Sequence, residues 1–211
     1  MNPQENFIKL NSLVKSMSST TKIIVVTKKF DMHAIQPILD LGHNDFGENR
    51  VIEARDKWHS FLNRNRINLH LIGKLQSNKA KEAISTFDYI HSLDSIKLAR
   101  ELNKYEIILN KKIKYFIQIN IGSEIQKTGI DASYISEFLK ICKVNFKLNI
   151  IGLMCLPPAN TDPNPYFNKL AELAKVNDLK ELSMGMSNDY ECAIKNGATF
   201  IRVGSKIFSE V

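Results

Sequence analysis

Eight short runs rich in β-branched and aromatic residues alternate with stretches of helical periodicity, and this alternation limits the fold of the chain more than any other feature. The strand candidates are 22–27, 45–46, 69–72, 89–92, 114–121, 149–156, 181–183 and 199–203. Helix-like segments lie between them at 48–62, 77–84, 95–109, 132–142, 165–175 and 189–196. Strands separated by helices do not pair as hairpins; they form parallel βα units whose crossovers lay helices over the sheet. Eight such units close into a single-domain TIM (β/α)8 barrel of class α/β. An open doubly wound sheet is the alternative architecture, and it would use fewer strands. The 211 residues suffice for one well-buried core and not for two large domains, so one domain is expected over 1–211. The opening segment 3–17 carries Phe7, Ile8, Leu10, Leu13 and Val14 on one side, the pattern of an amphipathic helix packing on the barrel.

Composition narrows the function classes. Hydrophobic residues at 44% and charged residues at 24% exclude a disordered or collagen-like chain. The longest apolar runs, such as 23–26 and 150–156, are too short to cross a bilayer, and the N-terminus lacks the order of a secretory signal. A cytoplasmic location with no membrane partner is therefore expected. Cys142, Cys155 and Cys192 form no C-x-x-C pair and read as small buried hydrophobes. A net charge of +7 favours anionic partners. The lysines are spread along the chain without a block of five like charges, so a solvated basic surface accounts for most of them. Nucleic-acid binding would rest on net charge alone, with no recognised module behind it, and is not expected. His70 and His91 fall at predicted strand ends near the barrel mouth. Without an H-E-x-x-H or similar spacing, they read as hydrogen-bonded structural histidines, and no metal site is expected.

In a βα barrel the chemistry sits at the C-terminal ends of the strands, and phosphates bind after strands seven and eight. The seventh strand runs into Met184-Gly185-Met186-Ser187-Asn188-Asp189 and the eighth into Arg202-Val203-Gly204-Ser205-Lys206. Both turns offer small residues, a hydroxyl and backbone N–H groups at a helix start, which suits a phosphate. Asn188 with Glu191 has the spacing of a capping box, which would leave the Ser187 hydroxyl for a ligand. The Gly185-x-Ser187-x-Asp189 run misses the second glycine of a nucleophile elbow, a motif of another fold. At the end of the first strand, Ile23-Ile24-Val25-Val26-Thr27 leads directly into Lys28-Lys29. A lysine projecting from an apolar strand into the mouth would be partly desolvated. Repulsion from Lys29 would act in the same direction, favouring the neutral amine that attacks an aldehyde.

Several stretches resemble the pyridoxal phosphate homeostasis protein family, the YggS/PROSC-like barrels. They are Val26-Thr27-Lys28, Phe46-Gly47-Glu48-Asn49, the run His70-Leu71-Ile72-Gly73-Lys74-Leu75-Gln76-Ser77-Asn78-Lys79, and Ser183-Met184-Gly185-Met186-Ser187-Asn188-Asp189. Ile151-Gly152-Leu153-Met154 and Ile201-Arg202-Val203-Gly204-Ser205-Lys206-Ile207-Phe208 match the family's sixth and eighth strands. The resemblance implies a fold-type III barrel similar to the N-terminal domain of alanine racemase, with pyridoxal 5'-phosphate (PLP) as cofactor. It implies that Lys28 holds the cofactor as a Schiff base, and that Ser187, Gly204 and Ser205 hold its phosphate. It further places Arg202 at the pyridine nitrogen, Asn49 near the ring hydroxyl and Met154 along the pocket wall. The chain departs from the family pattern at Lys29-Phe30-Asp31, where members continue with a polar residue, a second lysine and proline, and at Lys74, where proline is common. It also stops at Ser209-Glu210-Val211, sooner than usual.

A guanidinium stays protonated and only donates, so Arg202 would leave the ring nitrogen without a proton, making the cofactor a poorer electron sink. Racemisation needs a group on each face of the α-carbon. Racemases of the related barrel take the second from a further domain of a partner subunit, whereas this chain ends with its barrel. The expectation is a non-catalytic carrier that stores, buffers or delivers the cofactor to PLP-dependent apo-enzymes and acts as a monomer. A low-activity amino-acid racemase is the alternative.

Overall fold

The computed structural model describes residues 2–59, 61, 64–122, 124 and 128–208. The elements run α1 (Pro3–Met17), β1 (Lys22–Val26), α2 (Met32–Asp40), β2 (Asp45–Glu48), α3 (Val51–Trp58) and β3 (Asn68–Leu71). They continue through α4 (Ala80–Thr86), β4 (Tyr89–Leu93), α5 (Ile96–Ile108), β5 (Lys114–Ile119), α6 (Ile135–Lys140) and β6 (Asn149–Cys155). The last are α7 (Asn164–Val176), β7 (Glu181–Met186), α8 (Tyr190–Lys195), β8 (Phe200–Val203) and α9 (Ser205–Phe208). All strand pairs are parallel, and β1 pairs with both β2 and β8, closing an eight-stranded barrel in sequence order. The TIM barrel expected from the alternation is the observed fold, and the open sheet is not.

The side-chain period of two sorts each strand into an outer and an inner face. Ile23 and Val25, Leu69 and Leu71, Leu182 and Met184, and Ile201 and Val203 face outward into one large cluster between barrel and helices. Ile24, Tyr89, Phe116, Met154 and Phe200 form a separate cluster within the barrel. The alternation that turns Phe200 inward also turns Arg202 inward, because they stand two apart on β8.

Helix α1 begins where the Asn2 side chain accepts the Gln4 N–H, with Pro3 at the first helical position. Its buried stripe is Phe7, Leu10 and Val14, joined by Asn6, whose side-chain amide donates to the Ile207 carbonyl at 3.1 Å. Ile8 and Leu13, grouped with that face by sequence, are exposed. Helix α2 does not stand out in the sequence, since Pro37 reads as a breaker inside it. Asp31 caps it by accepting from the Ala34 N–H, and Ile35 and Ile38 anchor it. The segment 132–142 divides into a 3-10 turn, α6 and a π turn at Ile141–Asn145. The helix expected at 48–62 is observed only over Val51–Trp58, and residues 60 and 62 lie outside the described residues, as do 209–211.

Candidate functional site

The C-terminal strand ends gather every site residue singled out by sequence at one barrel mouth. Lys28 sits in the turn after β1, and Asn49 directly follows β2. Met154 is the penultimate residue of β6, Ser187 opens the turn after β7, Arg202 lies on β8, and Gly204 and Ser205 follow it. Gly204 packs against β1 so closely that a Cβ would come 3.1 Å from the Val26 carbonyl oxygen, so the turn after β8 lies against the Lys28 turn. At Gly185 the backbone takes φ +90, and an added Cβ would come 2.5 Å from the Ala193 side chain. Glycine is therefore required where β7 bulges against β8 and aims the 186–189 turn at the mouth.

Lys28 leaves from a rigid base. Thr27 is fully buried, and its N–H donates to the Gly47 carbonyl at 2.9 Å. Its hydroxyl donates to Glu48 Oε1 at 2.7 Å, and its carbonyl accepts from Lys57 Nζ at 2.7 Å. Glu48 Oε1 also receives Lys57 Nζ at 2.8 Å and the Trp58 indole N–H at 3.1 Å. The far side of the turn is held by Phe30, stacked on Phe208 with ring centroids 4.1 Å apart. Lys28 and Lys29 are themselves exposed, so the desolvation expected of a strand-end lysine is not found.

Arg202 is buried at 4% exposure. Its guanidinium donates from Nη1 to Ser183 Oγ at 2.7 Å and from Nη2 to the Cys155 carbonyl at 3.0 Å. Among the described residues, no carboxylate lies within ion-pair distance of it. Behind Arg202, polar contacts continue inward. Ser183 Oγ is 2.8 Å from His91 Nδ1, His91 Nε2 is 3.0 Å from His70 Nδ1, and His70 Nε2 is 3.0 Å from Asp45 Oδ1. Asn68 Nδ2 donates to the same Asp45 oxygen at 3.1 Å.

Burial pushes His91 well below the usual imidazole value, with His70 and Arg202 acting in the same direction. His70 and His43 are also lowered, chiefly by burial, although Asp45 opposes the shift in both. Burial alone would raise the Asp45 carboxyl, but the hydrogen bond from His70, the pull of His70 and His43 and the bond from Asn68 hold it below the usual carboxylate range. For all these groups the unfolded chain binds protons at a higher pH than the folded one. The stability contribution of Asp45 is lost only as pH falls below the usual carboxylate value, whereas that of the histidines is full above about pH 6.5 and is lost as pH falls through the histidine range. Each buried neutral histidine is expected to steepen this loss by up to about 1.4 kcal/mol per pH unit. Thermal melts from pH 7.5 to 5.5 check it; a midpoint that stays level over that window contradicts neutral buried imidazoles.

The other reactive side chains are quiet. Burial pushes the Cys142 and Cys155 thiols up to about 12, which suits the filler role expected of them. Among the described residues, no group of three or more His, Cys, Asp or Glu could hold a metal, and no helix is long and apolar enough to cross a membrane. A cavity of about 420 Å³ between α3 and α4, lined by Arg55, Trp58, Arg64 and Lys81 among others, holds none of the residues singled out by sequence.

A profile of the family described as "Alanine racemase, N-terminal domain" matches residues 4–210. A Synechocystis protein named pyridoxal phosphate homeostasis protein is 34% identical over 209 residues, covering 95% of this chain and 96% of that one. One of the same name from Escherichia coli K12 is 32% identical over 196 residues, covering 88% and 84%. The chain belongs to the pyridoxal phosphate homeostasis protein family. PipY of Synechococcus elongatus, solved with PLP bound, superposes with a TM-score of 0.88 at 33% identity, covering 98% of this chain and all of that one. An alanine racemase from Clostridium difficile shares the fold alone, at 14% identity and a TM-score of 0.75.

Two details of this homeostasis-family barrel differ from the sequence expectations. The cap position of α8 is Asp189, whose carboxylate accepts the Met186 N–H, so Asn188 and Glu191 do not form the expected capping box. His70 and His91 do not stand at the mouth. Both are fully buried inside the barrel, and His70 bonds to Asp45, the first residue of β2, toward the opposite end. Sequence reading found them to be hydrogen-bonded and missed their partners Asp45 and Ser183. The available signal was the parity of each strand, since 70, 91, 183 and 202 all occupy inward positions.

Proposed function

We propose that this chain binds pyridoxal 5'-phosphate in the barrel mouth and serves its homeostasis in the cell, by storage, buffering or delivery. The observation that carries this reading is the buried guanidinium of Arg202, fixed by Ser183 and Cys155 with no carboxylate partner among the described residues. A buried cation with no carboxylate in direct contact, Asp189 acting on it only from a distance, is costly, and an acceptor or anion arriving from the mouth relieves the cost. The PLP-bound relative and the shared family name support the same ligand.

When bound, the cofactor supplies an aldehyde that an amine captures and a ring whose electron demand depends on the protonation of its nitrogen. Lys28 presents that amine from the clamped Thr27 base. Ser187, Gly204 and Ser205 hold the phosphate, Asn49 faces the ring hydroxyl side, and Met154 supplies an apolar wall. Arg202 donates to the ring nitrogen and, always charged, does not leave a proton there. The reactive capacity of the cofactor is thereby restrained, which fits a carrier rather than an enzyme. Relatives of nearly equal length carry the homeostasis name and no enzyme name. Delivery to apo-enzymes is a finer part of the reading that rests on the family resemblance, and action as a cytoplasmic monomer is one that rests on the expectations read from the sequence.

The test is a visible absorption spectrum with added PLP, followed by borohydride reduction and peptide mapping. The expected adduct is on Lys28. An adduct on Lys29, or on no lysine, overturns the site. Interconversion of L- and D-amino acids at an ordinary enzymatic rate overturns the carrier.

A further inference from the structure

We propose that Ser183, His91, His70 and Asp45 form a one-way hydrogen-bonded chain through the barrel interior, both imidazoles neutral and carrying their proton on Nε2, that positions Arg202 for the cofactor's ring nitrogen. The positioning role rests on the reading of Arg202 given above; the chain itself does not.

The two ends dictate the direction. A guanidinium only donates and an ionised carboxylate only accepts. Arg202 Nη1 donates to Ser183 Oγ, leaving the Ser183 hydroxyl proton for His91 Nδ1 at 2.8 Å. That nitrogen accepts, so the neutral His91 ring carries its proton on Nε2 and donates to His70 Nδ1 at 3.0 Å. His70 is then protonated on Nε2 and donates to Asp45 Oδ1 at 3.0 Å. Every link has one donor and one acceptor. The reverse order would set a bare His70 nitrogen against the Asp45 carboxylate, unless Asp45 took up a proton, and its hydrogen bonds disfavour that.

Both rings are also held in place. His70 stacks on Tyr89 with centroids 4.2 Å apart and 19° between planes, and His91 stacks on Phe116 at 4.3 Å and 21°. Neither ring is exposed. The titratable and charged groups acting on His70 are Asp45, Asp88 and Lys22, and those on His91 are His70 and Arg202. For His91 both act against protonation, which suits a neutral link.

The arrangement explains why a buried arginine is steadied through a serine. A carboxylate in direct contact would fix the guanidinium but neutralise it. Three neutral groups between Arg202 and Asp45 fix its orientation and keep its charge and remaining N–H groups for a ligand. Ser183, His91, His70 and Asp45 are thus positioning residues, acting through Arg202.

The test uses the full chain labelled with 15N-histidine and long-range 1H–15N correlation at pH 7. In the cofactor-free protein, His70 and His91 should both show the Nε2–H tautomer; an Nδ1–H tautomer or an imidazolium at either overturns the chain. Added PLP should then shift the His91 nitrogens strongly and the His70 nitrogens less. In Ser183→Ala the response at His91 should be lost and PLP uptake weakened about tenfold, the loss of one charge-assisted bond. PLP that binds the wild-type protein and leaves His91 unmoved overturns the positioning role. Wild-type protein that takes up no PLP, or Arg202→Ala that takes it up equally well, overturns the reading of the site and the positioning role with it. The tautomers of the cofactor-free protein decide the chain in either event.

Discussion

Lys28→Ala is expected to abolish covalent capture of pyridoxal phosphate: no borohydride-stable mass is gained and the visible band of the protein Schiff base is lost. The amine is the only part of Lys28 that the proposal uses, and alanine removes it without touching Thr27. The base of the turn rests on Thr27, Glu48, Lys57 and the Phe30–Phe208 stack, none of which involves the Lys28 side chain. Since Lys28 is exposed, the substitution should leave the melting temperature nearly unchanged. Non-covalent binding through Arg202 and the phosphate turns should persist at reduced affinity, measurable by equilibrium dialysis. Lys29→Ala serves as the control and should retain the adduct. If Lys28→Ala still takes up the cofactor covalently and as tightly as the wild type, the site assignment is wrong.

Glu106→Ala is expected to be strongly destabilising although it lies away from the mouth. The Glu106 carboxylate is buried on α5 and joins that helix to the start of β5. Its Oε1 accepts from the Ile113 N–H at 3.0 Å and the Tyr115 hydroxyl at 2.9 Å, and its Oε2 accepts from Lys112 Nζ at 2.6 Å. Burial raises the Tyr115 phenol, with Glu106 adding to the effect, so it stays a donor. Truncation leaves a buried hydroxyl and a buried N–H without an acceptor, at about 1–3 kcal/mol each. The ion pair adds little, because the Lys112 side chain is 60% exposed. A loss of about 3–4 kcal/mol follows, which in a chain of this size lowers the melting temperature by roughly 10 °C. Tyr115→Phe in the Glu106→Ala background should recover part of it, since the orphaned hydroxyl is removed. Urea melts of the single and double variants measure this; equal stability of Glu106→Ala and wild type contradicts the account.

The sequence is most legible where local chemistry and burial agree. All eight strands fall where β-rich runs predict them, within three residues at each end, because outward positions such as Ile23, Val25, Ile201 and Val203 must be apolar to meet the helices. Helix α2 escapes because its buried side amounts to Ile35 and Ile38 around a proline, and only packing holds it. The candidate site is read from the family motifs rather than from chemistry alone. The desolvation argument for Lys28 fails because it presumes a place on the strand, and Lys28 lies in the exposed turn beyond the end of β1.

By itself the sequence determined the order of the eight strands, their parallel barrel and the membership of one face by the residues after each strand. These follow from periodicity and turn chemistry, which act over a few neighbouring residues. Only the tertiary structure decided which polar groups meet inside the barrel. Asp45, His70, His91, Ser183 and Arg202 come from five strands, and their contacts depend on the register of those strands once the barrel closes. No local propensity carries that register. It is settled by the joint packing of the inner aromatic cluster and the outer helical layer.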